Sequence, residues 1–440
     1  MINSVCLISF LVLSTAMAKF SFSEILSIIK PSKQELAKEY AFANEVVKYI
    51  DRKTPKNCDV ILTGSVAKKT FLRDKRDIDI FVLFGLSFPK DQLESTIKKI
   101  MKSAFPELGY QLSYAEHPYA RFHYEGRQID LVPAYKISDA SEKLSAVDRS
   151  VLHTKYVKKN LKEKQRDDVL LLKQFLRANS LYGAEIRIQG FPGYLCELLI
   201  IKYGTFSKLA RAASKWDDKV FIDLKKFYKK KEISSALDYF SSSFVVVDPT
   251  DKKRNVAAAV SKDNFKKFIS LCKRFVKKPS ATSFLKKPET FDQKVAKAKK
   301  GKKVFLISMP RPFVVDDVLW GQLHKLIRQL KIHLKDYTPK KILGDDTRHL
   351  VRLAIILEKD KLPSKMLLEG PPLKMKEHIA KFKKSHKRAK FVKKKGKIYA
   401  EIKRPVTSAE KSIKNFFKEF SKGNSHLAHQ EEMIVIERMR

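Results

Sequence analysis

Two acidic residues inside an apolar stretch are the side chains in this sequence best suited to chemistry. Residues 62–84, LTGSVAKKTFLRDKRDIDIFVLF, place Asp77 and Asp79 two positions apart, next to Ile78 and Ile80. Alternate residues of a β-strand share a face, so both carboxylates should point the same way and repel each other unless a cation compensates. Oxygen ligands of this kind suit Mg²⁺.

The surrounding residues extend this chemistry toward a nucleotide. Asp130, in QIDLV, is a third acid flanked by apolar residues on a separate predicted strand. Three carboxylates could hold two metal ions roughly 3.5–4 Å apart, an arrangement that stabilises the attacking and leaving oxygens in phosphoryl transfer. Gly64 and Ser65 follow a strand and open a helical turn, where backbone N–H groups and a hydroxyl can cradle phosphates, and Lys68 and Lys69 add positive charge. A Gly-Ser turn or a solvated acid is ordinary by itself, but their conjunction favours a nucleotidyltransferase.

Alternating strand and helix patterns predict the sheet that must position these residues. The helical spacing of residues 31–50, with Ser32 as the N-cap, predicts an amphipathic helix before the motif. A tight turn at Glu125 and Gly126 is predicted to join the last two strands of an α/β sheet domain that ends near residue 140. The predicted strands read DVIL, DIDIFVLF, YQLSYAEH, YARFHYEG and RQIDLVPAY, and the predicted helix between the second and third reads DQLESTIKKIMKSAF.

After residue 140 the pattern is mainly helical as far as a boundary at 277–293, where prolines and small polar residues interrupt both periods. Beyond that boundary we predict strands at KVFLIS and RHLVRLAIILE, a basic hairpin that turns near Gly396, and a helix over 316–337. The predicted helix carries one leucine stripe, formed by Leu319, Leu323, Leu326, Leu330 and Leu334.

Composition indicates a globular protein with a polyanionic partner. The 440 residues are 44% hydrophobic, and 91 Lys and Arg stand against 48 Asp and Glu, for a net charge of +43 and a pI near 9.9. Such an excess favours RNA or DNA as the partner, although a biased base composition could also produce Lys-rich surfaces. The four cysteines have no spacing typical of zinc sites or disulfides, so we expect a reducing cytoplasm: Cys6, Cys58, Cys196 and Cys272.

The first residues permit three interpretations. The stretch VCLISFLVLSTAMA has the apolar core and small-residue end of a secretory signal, but it lacks a basic start and is too short to span a membrane. Met17 is a plausible cytoplasmic start, so residues 1–16 could be a mis-called start or a disordered extension. The remaining interpretations are secretion and an apolar docking segment.

The chain resembles the polymerase β-like nucleotidyltransferases and, among them, the archaeal-type (class I) CCA-adding tRNA nucleotidyltransferases. The resemblance is specific from about residue 20 to 290 and looser to about 420, and the end of the chain, GNSHLAHQEEMIVIERMR, has no counterpart that we can place. It is carried by the blocks YAEHPYARFHYEGRQIDLVPAYKI, SAVDRSVLHTKYV, LLLKQFLRANSLYGAEIRIQGFPGYLCELLIIKYG and VVVDPTDKKRNVAAAVS.

The resemblance implies an α+β fold and an activity. After an N-terminal extension (1–19), it implies a polymerase β-like catalytic head (20–144), a helical neck that completes the nucleotide pocket (145–285) and an α/β RNA-binding body and tail (286–440). Such an enzyme adds C, C and A to the 3′ end of tRNA from CTP and ATP with Mg²⁺ and no template. It grips the acceptor arm of tRNA, and it often forms a homodimer.

Site residues implied by the resemblance fall on specific positions. The metal ligands would be Asp77, Asp79 and Asp130, and the first of these is often Glu in relatives. The triphosphate contacts would be Gly64, Ser65, Lys68, His153, Lys173 and Tyr182, and Arg254 would act in base choice. Lys68 stands where some relatives carry Arg, so a bidentate phosphate contact is replaced there by a point charge.

Three of these residues look different without the resemblance. Unaided, the sequence favours a surface histidine at His153, a tyrosine capping a small core at Tyr182, and a solvated turn around Arg254. The basic region 381–404 interleaves Phe382, among other aromatics, with cations, which suits RNA contact or a solvated face. Two alternative functions stay open: a poly(A) or oligoadenylate polymerase, and a non-catalytic RNA-binding protein, which would need to have lost the three acids.

Overall fold

The computed structural model describes residues 20–114, 118–299, 301–423, 425–428 and 435–439. It divides into two compact units.

The first unit comprises the described residues up to Pro288, and the second comprises those from Glu289 onward. The interpretations of residues 1–16, and the N-terminal extension as a whole, lie outside the described residues.

Helices and short strands alternate in the first unit. Its strands are β1 (Asp59–Leu62), β2 (Ile78–Phe84), β3 (Tyr110–Tyr114), β4 (Pro118–Tyr124), β5 (Arg127–Tyr135), β6 (Val220–Asp223), β7 (Phe244–Asp248) and β8 (Asp251–Asn255). Its helices are α1 (Phe22–Ile29), α2 (Lys33–Asp51), α3 (Gly64–Lys68), α4 (Leu93–Ala104), α5 (Arg149–Asn160), α6 (Arg166–Ala178), α7 (Gly193–Tyr203), α8 (Phe206–Ala213), α9 (Ile233–Phe240), α10 (Lys262–Lys277) and α11 (Thr282–Leu285).

A five-stranded sheet in the order β1-β2-β5-β4-β3 forms the catalytic part of this unit. Strands β2 and β5 run parallel, and the other neighbours are antiparallel. Ile78 and Ile80 point into the core and are fully buried, as the alternation predicts, so the acids between and before them face the other way. The predicted strands and the helix α4 are confirmed, except that the end of the third predicted strand, at 115–117, lies outside the described residues.

The helix α2 begins where its sequence indicates. Ser32 is the N-cap, its hydroxyl accepts from the backbone N–H of Glu35, and the Glu35 side chain accepts from the backbone N–H of Ser32. This reciprocal capping box satisfies two N–H groups that a helix start would otherwise leave unpaired.

A two-residue turn sets the register of β4 against β5. Glu125 and Gly126 have φ values of 47° and 72°, the doubly positive geometry that matches the twist of a hairpin. Arg121 therefore lies directly opposite Asp130. The predicted turn is confirmed.

The middle of the chain differs from the mainly helical pattern we expected. A three-stranded sheet in the order β6-β7-β8 lies among its helices. Val245, Val246 and Val247 are all fully buried, so no alternation of polar and apolar residues marks this strand. Arg254, expected in a solvated turn, lies in β8 instead.

A buried carboxylate shapes the loop between β5 and α5. Asp148 accepts hydrogen bonds from the backbone N–H groups of Tyr135, Leu144 and Ser145 and from the Ser145 hydroxyl, at 2.7–3.0 Å. These bonds fix the path of the chain into α5, the helix that carries His153.

The second unit contains two sheets. Its strands are β9 (Lys303–Pro310), β10 (Pro339–Asp346), β11 (Leu350–Leu357), β12 (Lys365–Pro372), β13 (Lys390–Lys394), β14 (Lys397–Lys403) and β15 (Val435–Met439). Its helices are α12 (Phe291–Lys299), α13 (Asp316–His333), α14 (Lys376–Ser385) and α15 (Ala409–Phe420).

Helix α13 ends at His333, four residues before the predicted end, and it packs four of the predicted leucines into the core of this unit; Leu334, directly after the helix, is the fifth, and all five are fully buried. The larger sheet has the order β10-β11-β9-β15, so the end of the chain, which the sequence left unplaced, supplies an edge strand. The smaller sheet, β12-β14-β13, contains the predicted basic hairpin, which turns at Lys395 and Gly396. No helix in the described part of the chain has the length and apolarity needed to cross a membrane.

Candidate active site

Two of the three predicted acids lie side by side on the central sheet. Strands β2 and β5 are parallel, and their register pairs Asp79 with Asp130 directly. Asp77 is two residues before Asp79 on the same face, and its carboxylate lies 3.7 Å from the ammonium of Lys75. The sheet thus brings together the carboxylates that the sequence singled out.

Asp79 lies in an environment that disfavours its charge. Burial, followed by the negative charge of Asp130, raises the pKa of Asp79 to about 6, although Lys68 acts in the opposite direction. Gly64 has a φ of 66°, and a β-carbon placed on it would lie 1.8 Å from Oδ2 of Asp79. Only glycine therefore fits at this position against the carboxylate.

Arg121, which sequence reasoning did not predict as a site residue, forms an ion pair with Asp130. Arg121 donates from Nε to Oδ1 of Asp130 at 2.8 Å and from Nη2 to Oδ2 at 2.7 Å, and Nη2 also lies 3.2 Å from the Tyr119 hydroxyl. The predicted two-residue turn could have revealed this pair, since a hairpin of that length fixes which residues face each other.

A buried carboxylate also organises two of the predicted phosphate-binding cations. Glu197 accepts from Nζ of Lys68 at 2.6 Å and from the Thr70 hydroxyl at 2.7 Å, and Nζ of Lys173 lies 3.7 Å from it. Lys173 also donates to the backbone carbonyl of Thr70 at 2.8 Å. Burial alone would raise the pKa of Glu197, but the two ammonium groups and the hydrogen bonds hold it below its ordinary value.

Glu197 was not among the predicted residues. Its only sequence signal is its position as a single acid in the apolar helix GYLCELLIIKY, where a buried charge requires a partner.

One cavity of about 280 Å³ joins these groups. Tyr182 contributes its hydroxyl beside Lys173, since a β-carbon on Gly193 would lie 3.3 Å from the hydroxyl and 3.6 Å from Nζ. The predicted residues that line the cavity are Gly64, Ser65, Lys68, Asp77, Asp79, Asp130, Lys173 and Tyr182.

His153 and Arg254 do not line that cavity but meet each other at a second acid, Asp248. Nε2 of His153 and Nη1 of Arg254 each lie 2.8 Å from Oδ2 of this fully buried carboxylate. Tyr194 donates to its Oδ1 at 3.1 Å and stacks on the His153 ring with centroids 4.0 Å apart. The histidine side chain is only 12% exposed, so the unaided surface interpretation is wrong.

The two groups of residues are electrostatically connected. Burial lowers the pKa of His153, Asp248 opposes that shift, and the charges of Arg254 and Lys68 lower the pKa further. The charge of Lys68 therefore lowers the pKa of Asp79 in the cavity and also that of His153 beside Asp248.

The carboxylates of the cavity offer oxygen donors to a divalent cation. Among the described residues, no three His, Cys, Asp or Glu side chains converge closely enough to define a metal site by themselves. An ionised carboxylate nevertheless offers about four acceptor directions, and Arg121 uses two of those on Asp130. Asp79 forms no ion pair within the described part of the chain, and the acid Asp130 lies beside it in register on the neighbouring strand. Such a set of hard oxygen donors fits a divalent cation.

Replacing Asp79 by Asn is expected to stabilise the cation-free protein at neutral pH by roughly 1–3 kcal/mol. The folded pKa is about 6 and the ordinary value is 3.8. The folded chain therefore holds the extra proton between these values, and the destabilisation is complete only above pH 6. Thermal unfolding in EDTA should show a gain at pH 7 that shrinks as the pH falls to 3.8. An equal gain in the free energy of unfolding at pH 7 and at pH 3.8 would contradict a raised pKa for Asp79.

The sheet with its paired acids, next to a cavity lined by cations, defines a nucleotidyltransferase domain. Three family models match in succession: the nucleotidyltransferase domain over 43–164, the second domain of tRNA nucleotidyltransferase over 167–285, and the C-terminal domain of CCA-adding enzymes over 300–435.

Curated relatives agree over most of the chain. It is 36% identical over 418 residues to the CCA-adding enzyme of Methanocaldococcus jannaschii, a match that covers 91% of this chain and 90% of the relative. It is 35% identical to the CCA-adding enzyme of Methanothermobacter thermautotrophicus, with 83% and 82% covered. The chain therefore belongs to the family of CCA-adding enzymes, which confirms the resemblance seen in the sequence.

A solved cytoplasmic RNA terminal U-transferase matches 61% of this chain and 98% of its own, at 14% identity with a TM-score of 0.46.

Proposed function

We propose that this chain adds C, C and A to the 3′ end of tRNA from CTP and ATP and releases pyrophosphate at each step. The observation that carries the proposal is the cavity that Asp79 and Asp130 line together with Lys68, Lys173 and Tyr182. Carboxylates for cations and ammonium groups for phosphates are the two halves of a nucleotidyl-transfer site. The full-length relatives supply the choice of substrate.

Asp77, Asp79 and Asp130 would hold two Mg²⁺ ions, which when bound would polarise the RNA 3′-hydroxyl and neutralise charge at the α-phosphate. Lys68 and Lys173 would bind the triphosphate and stabilise the negative charge of the departing pyrophosphate. Their positions are fixed in advance by Glu197, so little reorganisation accompanies the reaction.

Ser65 and Tyr182 offer hydroxyl groups at the cavity wall for hydrogen bonds to the nucleotide. The 3′-hydroxyl attacks the α-phosphate directly, so no covalent enzyme intermediate is required.

The group around Asp248 would present Arg254 to the incoming base. Asp248 receives Nη1 of Arg254, and the guanidinium remains partly exposed. A guanidinium fixed in this way can donate to base edges in a defined direction. His153 would approach the triphosphate from the same group.

Replacing Arg254 by Ala is expected to blur the choice between C and A, because the fixed donors are lost while the carboxylates and ammonium groups remain. Sequencing of product 3′ ends should show misincorporation raised about tenfold or more, the discrimination carried by about 1.4 kcal/mol. Lys253→Ala is the matched control, since Lys253 is exposed on the same strand. Unchanged fidelity in Arg254→Ala would remove this residue from base choice.

The decisive experiment uses tRNA that ends at the discriminator base. With Mg²⁺, CTP and ATP, 3′-end sequencing should show products that stop after C, C and A, and tRNA already carrying CCA should gain nothing. Long adenylate tails would instead indicate a poly(A) or oligoadenylate polymerase. No extension of any RNA would indicate a binding protein.

The basic hairpin of the second unit is our proposed contact for the acceptor arm. The ring of Phe391 lies 6.2 Å from that of Phe382, and the ammonium of Lys383 lies 5.8 Å from the Phe391 ring. Aromatic rings among cations suit the backbone and exposed bases of RNA.

Two further parts of the proposal concern the cellular compartment and the oligomeric state of the enzyme. Cys58, Cys196 and Cys272 are free thiols, which supports a reducing cytoplasm as the site of action. A homodimer is proposed from the family resemblance alone, and light scattering on the purified chain would test it.

A further inference from the structure

The bidentate contact between Arg121 and Asp130 occupies an acid that the proposed reaction needs. Both guanidinium-carboxylate hydrogen bonds are short, at 2.8 and 2.7 Å, and run side by side. Such paired, charge-assisted bonds are among the strongest that a carboxylate forms in a protein. Arg121 thus already supplies Asp130 with the positive charge that a divalent cation would bring.

The contact between Arg121 and Asp130 is accessible from solvent, and Tyr119 also contacts the guanidinium. The Arg121 side chain is 37% exposed, whereas that of Asp130 is 13% exposed. Nη2 of Arg121 also donates to the Tyr119 hydroxyl at 3.2 Å, and the guanidinium carbon lies 5.5 Å from the centroid of the Tyr119 ring. The hairpin register places Arg121 directly opposite Asp130 on the neighbouring strand.

Two consequences of this geometry act in opposite directions. The planar guanidinium of Arg121 contacts both oxygens of Asp130 and orients the carboxylate, which favours a reaction that depends on the direction of those oxygens. The same positive charge repels an arriving divalent cation and competes with it for carboxylate lone pairs. Charge and orientation can therefore be separated by substitution.

We propose that Arg121 is a positioning residue that orients Asp130 while it weakens the binding of divalent cations, so that it keeps the carboxylate pair from binding them tightly. This inference rests on the proposed function for its purpose, but the competition itself needs no RNA or nucleotide.

The test is a calorimetric titration of the full chain with Mn²⁺ alone. Arg121→Gln should bind Mn²⁺ about tenfold more tightly than the unmodified chain, because a competing unit charge is removed. Arg121→Lys keeps the charge and loses the fork, so its affinity should stay within about twofold of the unmodified chain. In the nucleotidyl-transfer assay both variants should lower kcat, and only Arg121→Gln should also lower the Mn²⁺ concentration for half-maximal rate.

Arg127→Gln is the matched control. Arg127 lies on the same hairpin and makes an equivalent two-bond contact, but with the buried Glu39, at 2.8 and 3.0 Å. Its Mn²⁺ affinity should not change. Circular dichroism on each variant would confirm that the protein is folded.

Three outcomes would overturn the inference: Arg121→Gln binds Mn²⁺ no more tightly, Arg127→Gln binds it as tightly as Arg121→Gln, or the unmodified chain binds none. Failure of the proposed function looks different, because the tRNA products would then be wrong while the order of Mn²⁺ affinities stands.

Discussion

Replacing Asp79 by Ala is expected to abolish incorporation of both CTP and ATP, with kcat lowered on the order of 10³-fold or more. Asp79 is paired in register with Asp130 and lies against Gly64, so its loss removes one of the two adjacent carboxylates of the sheet. Single-turnover assays with each nucleotide measure the loss. Binding of tRNA in a filter assay should stay within about twofold, since the substitution removes no contact proposed for RNA.

Asp74→Asn is the control for this change. Asp74 precedes Asp79 by five residues and pairs with Arg177 through two bonds of 2.8 Å, but its side chain is 63% exposed. An exposed pair contributes little to stability, and Asp74 does not line the cavity. Preserved turnover in Asp79→Ala would exclude Asp79 from the reaction.

Replacing Glu197 by Ala is expected to destabilise the protein by about 3–5 kcal/mol, because two largely buried ammonium groups would lose their shared partner. Lys68 and Lys173 have side chains only 9% and 2% exposed, and Glu197 is fully buried. Urea unfolding measures the change, and nucleotide binding should weaken as the two cations lose their fixed positions.

Glu410→Ala provides the comparison for a solvated acid. Its contact with Lys414 is an i,i+4 pair at 2.8 Å with both side chains exposed, and its loss should cost less than about 1 kcal/mol. If Glu197→Ala were no more destabilising than Glu410→Ala, the buried charge network would have no role in stability.

Sequence reasoning found the parts of the site that depend on local periods. Strand alternation placed Asp77 and Asp79 on one face, and the apolar flanks of Asp130 marked it as a third acid on another strand. Tyr182 was implied only by the family resemblance, and the direct register of Asp79 with Asp130 was not predicted. The buried partners were harder to find. Glu197 and Asp248 lie 129 and 95 positions from their contacts Lys68 and His153, and no local pattern encodes such distances.

Secondary-structure prediction failed where burial on both faces of a strand removes the alternation of polar and apolar residues. The strand Phe244–Asp248 is buried on both faces, so its residues carry no period, and the polar segment after it read as a turn although it pairs with that strand. Arg254 was consequently assigned to solvent, whereas the sheet directs it to Asp248.

The turn at Glu125 and Gly126 gives this enzyme an unusual sensitivity to changes in chain length. Hairpin tips are commonly the places where evolution adds or removes residues at little cost. Here an extra residue that shifted the pairing by one position would send Arg121 to the opposite face of the sheet, away from Asp130. Among active relatives, loop length at this tip should therefore vary far less than its amino-acid identity.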